Sequence, residues 1–358
     1  MGAASYRVRA LLHPLLESTQ VFFLYTALLE LAEAGEIEVT WDAVSRAADY
    51  AIAMDIERCA DGARRRVCFD IHDRSYLFFE PELKGCDVYF KRSHFAPDVA
   101  KLPPEARAKV TAFGPIFGPG NRSAILPLTA GWLRYAVANP RKAGASFRHL
   151  TDFLRLPVTR DFERGAEHDM PPRVLLQTRL WTESEVTAPP YAPEINEERV
   201  GVVRALRKAL GDRFVGGALA TPFAEREYPD VVCHWDTRRS AYLRTMQTCL
   251  IGIYTKGLHH ATAWKLGEYV AASMCVVASE LRNDFPEPFT APRNYLPFTT
   301  GEECAAQCVR LLEDREMARE MVRANHAYYA EHVRPGKQLH RWIGQAFATA
   351  KTLPSAPR

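Results

Sequence analysis

The stretch Trp264–Ser279, WKLGEYVAASMCVVAS, sets a lysine and a glutamate three residues apart near the start of a helical pattern. Small residues close the pattern, and it runs straight into an apolar segment holding the β-branched pair Val276 and Val277. A helix feeding a buried strand is half of a βαβ unit, and its other half lies just upstream. There Leu250–Tyr254 (LIGIY) reads as a strand, and Thr255–Thr262 (TKGLHHAT) as the loop that joins it to the helix. In doubly wound sheets, ligands sit beyond the carboxyl ends of the strands, where helix N-termini turn backbone N–H groups toward anions. A phosphate could rest on this helix start beside Lys256, His259, Thr262 or Lys265, with Gly257 allowing the backbone a close turn. Glu268, one turn further in, has lone pairs enough to accept two ribose hydroxyls. Ala271, Ala272 and Ser273 would let the helix lie close to the sheet. The competing reading of the Lys265–Glu268 spacing is a solvated ion pair, a common ornament of helix surfaces.

The same rhythm extends in both directions. Toward the amino terminus, strands are expected at Tyr6–Leu12, Ile37–Trp41, Arg66–Ile71 and Asp87–Lys91, and a helix at Gln20–Ala34 stopped by Gly35. Residues 113–127 (FGPIFGPGNRSAILP) are dense in glycine and proline and read as a loop. Helices follow at about 130–138 and 145–153. The polar, proline-ended GAEHDMPP at 165–172 is the best linker, after which strands and helices resume at Arg173–Gln177, Glu197–Leu210, Arg213–Ala218 and Ser240–Thr248. Val231–His234 is a candidate short strand. The tail reads as helices at 301–312 and 315–332, a stop at Pro335, and an amphipathic segment at 338–352 carrying Leu339, Trp342, Ile343 and Phe347. Two α/β halves are therefore expected, meeting near residue 170.

The chain's 358 residues exceed one ordinary core and suit two domains. With 46 basic and 43 acidic residues the formal charge is +3, too small for a global field that would hold nucleic acid. The cluster Arg64-Arg65-Arg66 runs into Val67-Cys68-Phe69 and is best read as a solvated strand entrance. No apolar run approaches the ~20 residues of a membrane span. Val21–Ala34, broken by Glu30 and Glu33, suits a core helix better than a secretory signal, so a cytoplasmic chain, at most peripheral at a membrane, is expected. Eight cysteines are scattered without a C-x-x-C pair. Cys304 and Cys308 lack further ligands nearby, and Cys68, Cys249 and Cys275 read as buried thiols, so neither zinc nor disulfides are implied.

KLGEYVAASMCVVAS resembles the donor-binding helix–strand of glycosyltransferases with the GT-B fold, in which a K-x-x-E-Y-x-A-x-G-x-P-V-V-x-S pattern recurs. The likeness continues through Arg293–Pro335, RNYLPFTTGEECAAQCVRLLEDREMAREMVRANHAYYAEHVRP, similar to the usual ending of that carboxyl domain. The resemblance implies a nucleotide-sugar donor, with Glu268 on the ribose and Lys265 on the diphosphate. It also implies a diphosphate contact from Arg179, in LLQTRLW after the domain's first strand; otherwise Arg179 would pair with Glu183 or Glu185. Where many retaining members carry a second glutamate, this chain has His260, which weakens a retaining assignment; the imidazole could still bond the donor sugar or phosphate. Met274 stands near the usual glycine, and Cys275 replaces the common proline.

An inverting transfer needs a general base from the amino-terminal half. His13, at the end of the first expected strand, stands where several inverting families resembling this one hold theirs. The rival group is Asp70, His72 and Asp73, ending the strand RVCFDI. Its D-x-x-D spacing is not the D-x-D of metal-dependent transferases, and no metal or other cofactor is implied. Tyr89–His94 (YFKRSH) brings two cations to another strand end, where a salt-bridged surface turn is the favoured reading over a place facing the cleft. Trp41, Trp181 and Trp264 read as packing aromatics before stacking platforms.

Together these features imply an α/β chain of two facing Rossmann-like domains with parallel sheets. Residues 1–168, joined by a returning helix at 336–358, would form the acceptor domain, and 169–335 the donor domain. The implied activity is metal-independent transfer of a sugar from a nucleotide donor to a hydroxyl or amine, with inversion favoured. The acceptor would be a small molecule, a glycan or a lipid-linked group, and nucleic acid is not expected as a partner. The alternatives are a sugar-nucleotide 2-epimerase and a catalytically silent sugar-nucleotide binding module.

Overall fold

A computed structural model describes residues 4–12, 20–43, 50–123, 125–138, 140–167, 170–186, 189 and 191–349. The chain divides into two compact units. One holds Met1–Thr159, Asp284–Pro286 and His332–Arg358; the other holds Arg160–Asn283 and Glu287–Glu331.

The amino-terminal unit is built on a six-stranded sheet. Its strands are β1 (Tyr6–Leu12), β2 (Ile37–Ala43), β3 (Ala51–Arg58), β4 (Arg64–Asp70), β5 (Val88–Lys91) and β6 (Val110–Ala112). Their order is β2-β1-β3-β4-β5-β6. Strand β3 runs antiparallel to both neighbours, while the remaining pairs are parallel. The expected α/β class holds, and the antiparallel strand is an addition to it. Its signal was present as the alternation of buried Ile52, Met54 and Ile56 with the half-buried Ala53, Asp55 and Glu57.

One face of this sheet carries cross-strand ion pairs: Arg7 with Glu38 and Glu57, Arg9 with Asp42, Arg64 with Glu57, and Arg66 with Asp55. That pairing accounts for the arginine cluster as a solvated strand entrance. Two helices, Val21–Glu33 and Pro335–Thr349, pack on each other. Trp342 of the latter is fully buried against Phe23, Phe69, Phe90 and Phe113, whose ring centroid lies 4.4 Å away. Pro335 opens this helix instead of merely ending the previous one, because a first-turn proline forfeits no helical hydrogen bond. The last helix thus belongs to the amino-terminal unit. Glu30, which interrupts the apolar pattern of the first helix, accepts hydrogen bonds from the Gly336 N–H (3.0 Å) and the Thr159 hydroxyl (2.6 Å). A carboxylate at a helix N-terminus satisfies an otherwise orphaned donor.

The carboxyl-terminal unit has a five-stranded, wholly parallel sheet. Its strands are β7 (Val174–Thr178), β8 (Phe214–Ala218), β9 (Ile251–Tyr254), β10 (Cys275–Ala278) and β11 (Leu296–Pro297), in the order β8-β7-β9-β10-β11. β7, β9 and β10 are buried along their whole length, as expected for strands covered on both faces. This is a doubly wound order of the 2-1-3-4-5 kind, whose direction reverses between β7 and β9. Val231–His234 contributes only an isolated bridge, Ala218 to Val232. No described helix is long and apolar enough to cross a membrane.

Candidate functional site

The carboxyl ends of β7 and β9 flank the reversal point, the place where doubly wound sheets take up ligands. β9 leads through Gly257 into the loop 255–263 and then the helix Trp264–Ala271. A Cβ on Gly257 would lie 2.4 Å from the Ala261 carbonyl oxygen, so the close turn requires glycine there. His259 and His260 follow with φ of +56° each, a conformation that non-glycine residues adopt at a cost of roughly 1–3 kcal/mol apiece. The helix then lies close on the sheet: a Cβ on Gly252 of β9 would meet the Tyr269 ring at 2.6 Å. Its first turn has no acidic residue and no side-chain cap, leaving its N-terminal partial charge unopposed from within the helix.

Glu268 is 1% exposed. Its Oε1 accepts a 2.7 Å hydrogen bond from Arg239, on the helix Arg239–Met246. Its Oε2 is buried with no hydrogen-bond partner, and so is the hydroxyl of Tyr242. Burial alone would raise the Glu268 carboxyl, but the Arg239 guanidinium and the Lys265 ammonium hold it below its ordinary value. Burial pushes Lys265 down to about 8, with Glu268 pulling the other way. The Lys265 ammonium sits 4.2 Å over the Tyr242 ring. Burial likewise keeps Tyr242 protonated, as a donor. The solvated ion pair of the alternative reading is therefore not what the fold builds. Lys265 and Glu268 belong to a half-buried cluster with Arg239 and Tyr242, in which Glu268 Oε2 and the Tyr242 hydroxyl have no partner at good hydrogen-bond geometry and act on each other only loosely. An unsatisfied buried polar atom costs about 1–3 kcal/mol, which a hydroxyl-bearing ligand would relieve.

Other expected donor contacts are already engaged within the unit. Arg179 pairs with Glu185 and stacks 4.1 Å over Trp181, which is the alternative reading of that residue. The Lys256 ammonium lies 3.1 Å from both Glu194 and Glu198. Thr262 gives both its N–H and its hydroxyl to Asn283. His260 is half-buried; burial and Arg282 lower it, so its imidazole is neutral near pH 7.

Three residues were not legible as site members. Arg239 and Tyr242 sit on a helix that offers no marker in sequence for its distance to position 268. Arg199 is buried and donates to the carbonyls of Arg179 (2.6 Å) and Lys256 (3.0 Å), tying the loops after β7 and β9 together. Burial lowers it to about 10.

Of the amino-terminal candidates, His13 lies outside the described residues. Asp70 is fully buried, and its oxygens accept from the Tyr89 hydroxyl (2.6 Å), Lys91 (2.7 Å) and the His72 N–H (2.9 Å). Such a carboxylate organises its loop; it is not placed to receive a substrate proton. His72 uses Nδ1 to accept from the Arg74 N–H, and its ring stands edge-on to Tyr50. Asp73 pairs with Arg92. Lys91 and Arg92, the two cations of YFKRSH, are both salt-bridged, as the favoured reading had them, but they are buried and do not lie on a surface turn, because each is drawn in by a carboxylate of the preceding strand end, Asp70 and Asp73.

Residues 199–344 match the family model described as Glycosyl transferase-like. No curated protein matches the chain. Among solved structures, a glycosyltransferase from Rickettsia africae is similar at 11% identity, over 92% of this chain and 82% of that one, with a TM-score of 0.43. Anabaena Alr3699/HepE, solved with UDP and glucose, is similar at 11% identity over 88% of each chain, with a TM-score of 0.34. A Listeria monocytogenes protein described as a candidate UDP-N-acetylglucosamine 2-epimerase is similar at 12% identity, over 100% of this chain and 99% of that one, with a TM-score of 0.41. Likenesses this distant carry no argument of their own. The family match falls on the stretch whose residues carried the sequence resemblance.

Proposed function

We propose that the protein transfers a sugar from a nucleotide-sugar donor to an acceptor hydroxyl or amine, and that the carboxyl-terminal unit holds the donor. The observation that carries this reading is the buried Oε2 of Glu268, which Arg239 leaves open and only the Tyr242 phenol approaches, beside Lys265 on the helix that follows β9 at the sheet's reversal point. A ribose hydroxyl would donate to Oε2, a second ligand oxygen would accept from Tyr242, and the diphosphate would meet Lys265 and the helix start. With Oε1 engaged by Arg239, the carboxylate offers one free oxygen to the ribose, not the two that its lone pairs alone suggest. Charge developing on the leaving diphosphate would be stabilised by these fixed cationic and backbone groups, without a divalent ion. Inversion is favoured by His260, which stands where retaining relatives would carry a glutamate. His13, or His72 with Asp73, would then supply the acceptor's base.

Thermal unfolding against a panel of nucleoside diphosphates and their sugars tests the reading. At a concentration about 100 times Kd a ligand specific to the native state adds about 2.7 kcal/mol, a rise of roughly 5–10 °C for a unit of this size. No stabilisation by any member of the panel would overturn the donor site. Epimerised donor formed without acceptor would replace transfer with epimerisation.

Affinity should also depend on pH through Lys265. A bound diphosphate needs the ammonium, and the free protein loses that proton as pH rises through about 8. Affinity for a nucleoside diphosphate should therefore hold below that point and fall by up to about tenfold per pH unit above it. The unliganded protein moves the opposite way. Its folded pKa lies below the unfolded value of 10.5, so this lysine's cost to stability is relieved between about 8 and 10.5. Calorimetric titration across pH 7–9.5 distinguishes this from a pH-independent site.

A further inference from the structure

The helices Leu126–Ala138 and Ala143–Arg155 pack on each other in the amino-terminal unit. Leu128, Trp132 and Tyr135 of the first, and Leu150 and Phe153 of the second, are buried; Trp132 and Phe153 pack against Tyr25. The opposite face of the first helix is apolar as well. Leu126, Leu133 and Val137 fall at i, i+7 and i+11 and are 79%, 57% and 83% exposed. Phe147 (67%) and Leu154 (38%) repeat the pattern on the second helix. Five of the eight exposed large apolar side chains among the described residues therefore lie on this one helix pair. A helix apolar on two opposite faces ordinarily has both covered, and the second face of this one is not.

Charge identifies what covers it. Residues 122–155 contain Arg122, Arg134, Arg141, Lys142, Arg148 and Arg155 against the single acid Asp152, six minus one, or +5. The whole chain is +3, so everything outside this segment sums to −2. The five arginines are exposed. An isologous contact with a second copy would set +5 against +5, and a nucleic acid would leave the leucines, valine and phenylalanine unburied. A surface that is anionic above and apolar beneath satisfies both features. We propose that this helix pair docks the amino-terminal unit on an anionic lipid surface. The inserted side chains would be Leu126, Leu133, Val137 and Phe147, with arginine side chains on the headgroups.

The test is co-sedimentation of the full chain with vesicles of phosphatidylcholine alone and with roughly 30% phosphatidylglycerol. The protein should partition onto the anionic vesicles and much less onto the neutral ones. Leu133→Ser/Val137→Ser/Phe147→Ser removes mostly exposed surface and should lower the partition coefficient at least about tenfold. Arg141→Gln/Arg148→Gln/Arg155→Gln should lower it about fivefold per arginine, an effect that salt suppresses. An unchanged melting temperature verifies that each variant folds. Failure of the parent protein to bind anionic vesicles, or equal binding by the serine variant, overturns the proposal. So does a concentration-dependent dimer in solution that the same substitutions abolish, since a second copy would then cover the face. None of these outcomes bears on the donor site.

Discussion

Replacing Glu268 with glutamine should remove the thermal stabilisation expected from the best nucleotide-sugar donor at the proposed site. The substitution keeps the side chain's shape and takes away the charge that holds Arg239 and Lys265 in place. Severing a buried ion pair costs about 3–5 kcal/mol, and the lower end applies because Arg239 keeps a third of its side-chain surface in water. The unliganded variant should thus melt several degrees lower yet give an intact far-UV spectrum. Its donor-induced shift, rather than its baseline, is the decisive measurement. Lys265→Met separates the parts of the site: it should erase the preference for nucleoside diphosphate over nucleoside while leaving nucleoside binding in place. If Glu268→Gln shows the parent's donor shift, the carboxylate does not touch the ligand and the proposed donor site falls.

The second large effect lies in the amino-terminal unit. Asp70 and Lys91 are both fully buried and 2.7 Å apart, with Lys91 also donating to the Leu77 carbonyl. Burial drives both toward neutrality, raising Asp70 and lowering Lys91. Asp70→Asn strands the ammonium and should cost about 3–5 kcal/mol, read as an earlier urea transition of this unit. Asp70→Asn combined with Lys91→Met removes the stranded charge and should recover much of that loss, because apolar replacements of buried pairs are often close to neutral. Equal destabilisation by the single and double variants would mean that the pair's charge is not what matters there.

Much of the donor-side architecture was readable because it is local. The helix and strand within 264–279, their connecting loop and the preceding strand follow one another in the chain, and period and turn residues mark them. Strand β3 escaped because its short alternation begins without a turn signal, and an antiparallel neighbour does not follow from βαβ rhythm. The site was harder to read than the fold. Glu268 and Lys265 were visible as a spacing, but their partners arrive through tertiary packing: Arg239 is 29 residues away, and Arg199 is 57 residues from the Lys256 carbonyl it holds. The same packing decides which cations are spent. Arg179 and Lys256 look available in sequence and are neutralised by Glu185, Glu194 and Glu198, whereas Lys265 has a ring and a shared carboxylate instead.

The bond between Glu30 and Gly336 joins positions 306 apart in the chain. During synthesis the first-made half must therefore wait, its aromatic interior lacking Trp342, while the second half emerges and can gather its own parallel sheet. The order of completion is the reverse of the order of translation. Until the last helix leaves the ribosome, Phe23, Phe69 and Phe113 lack their largest neighbour, which makes that interval the one in which a chaperone has most to hold.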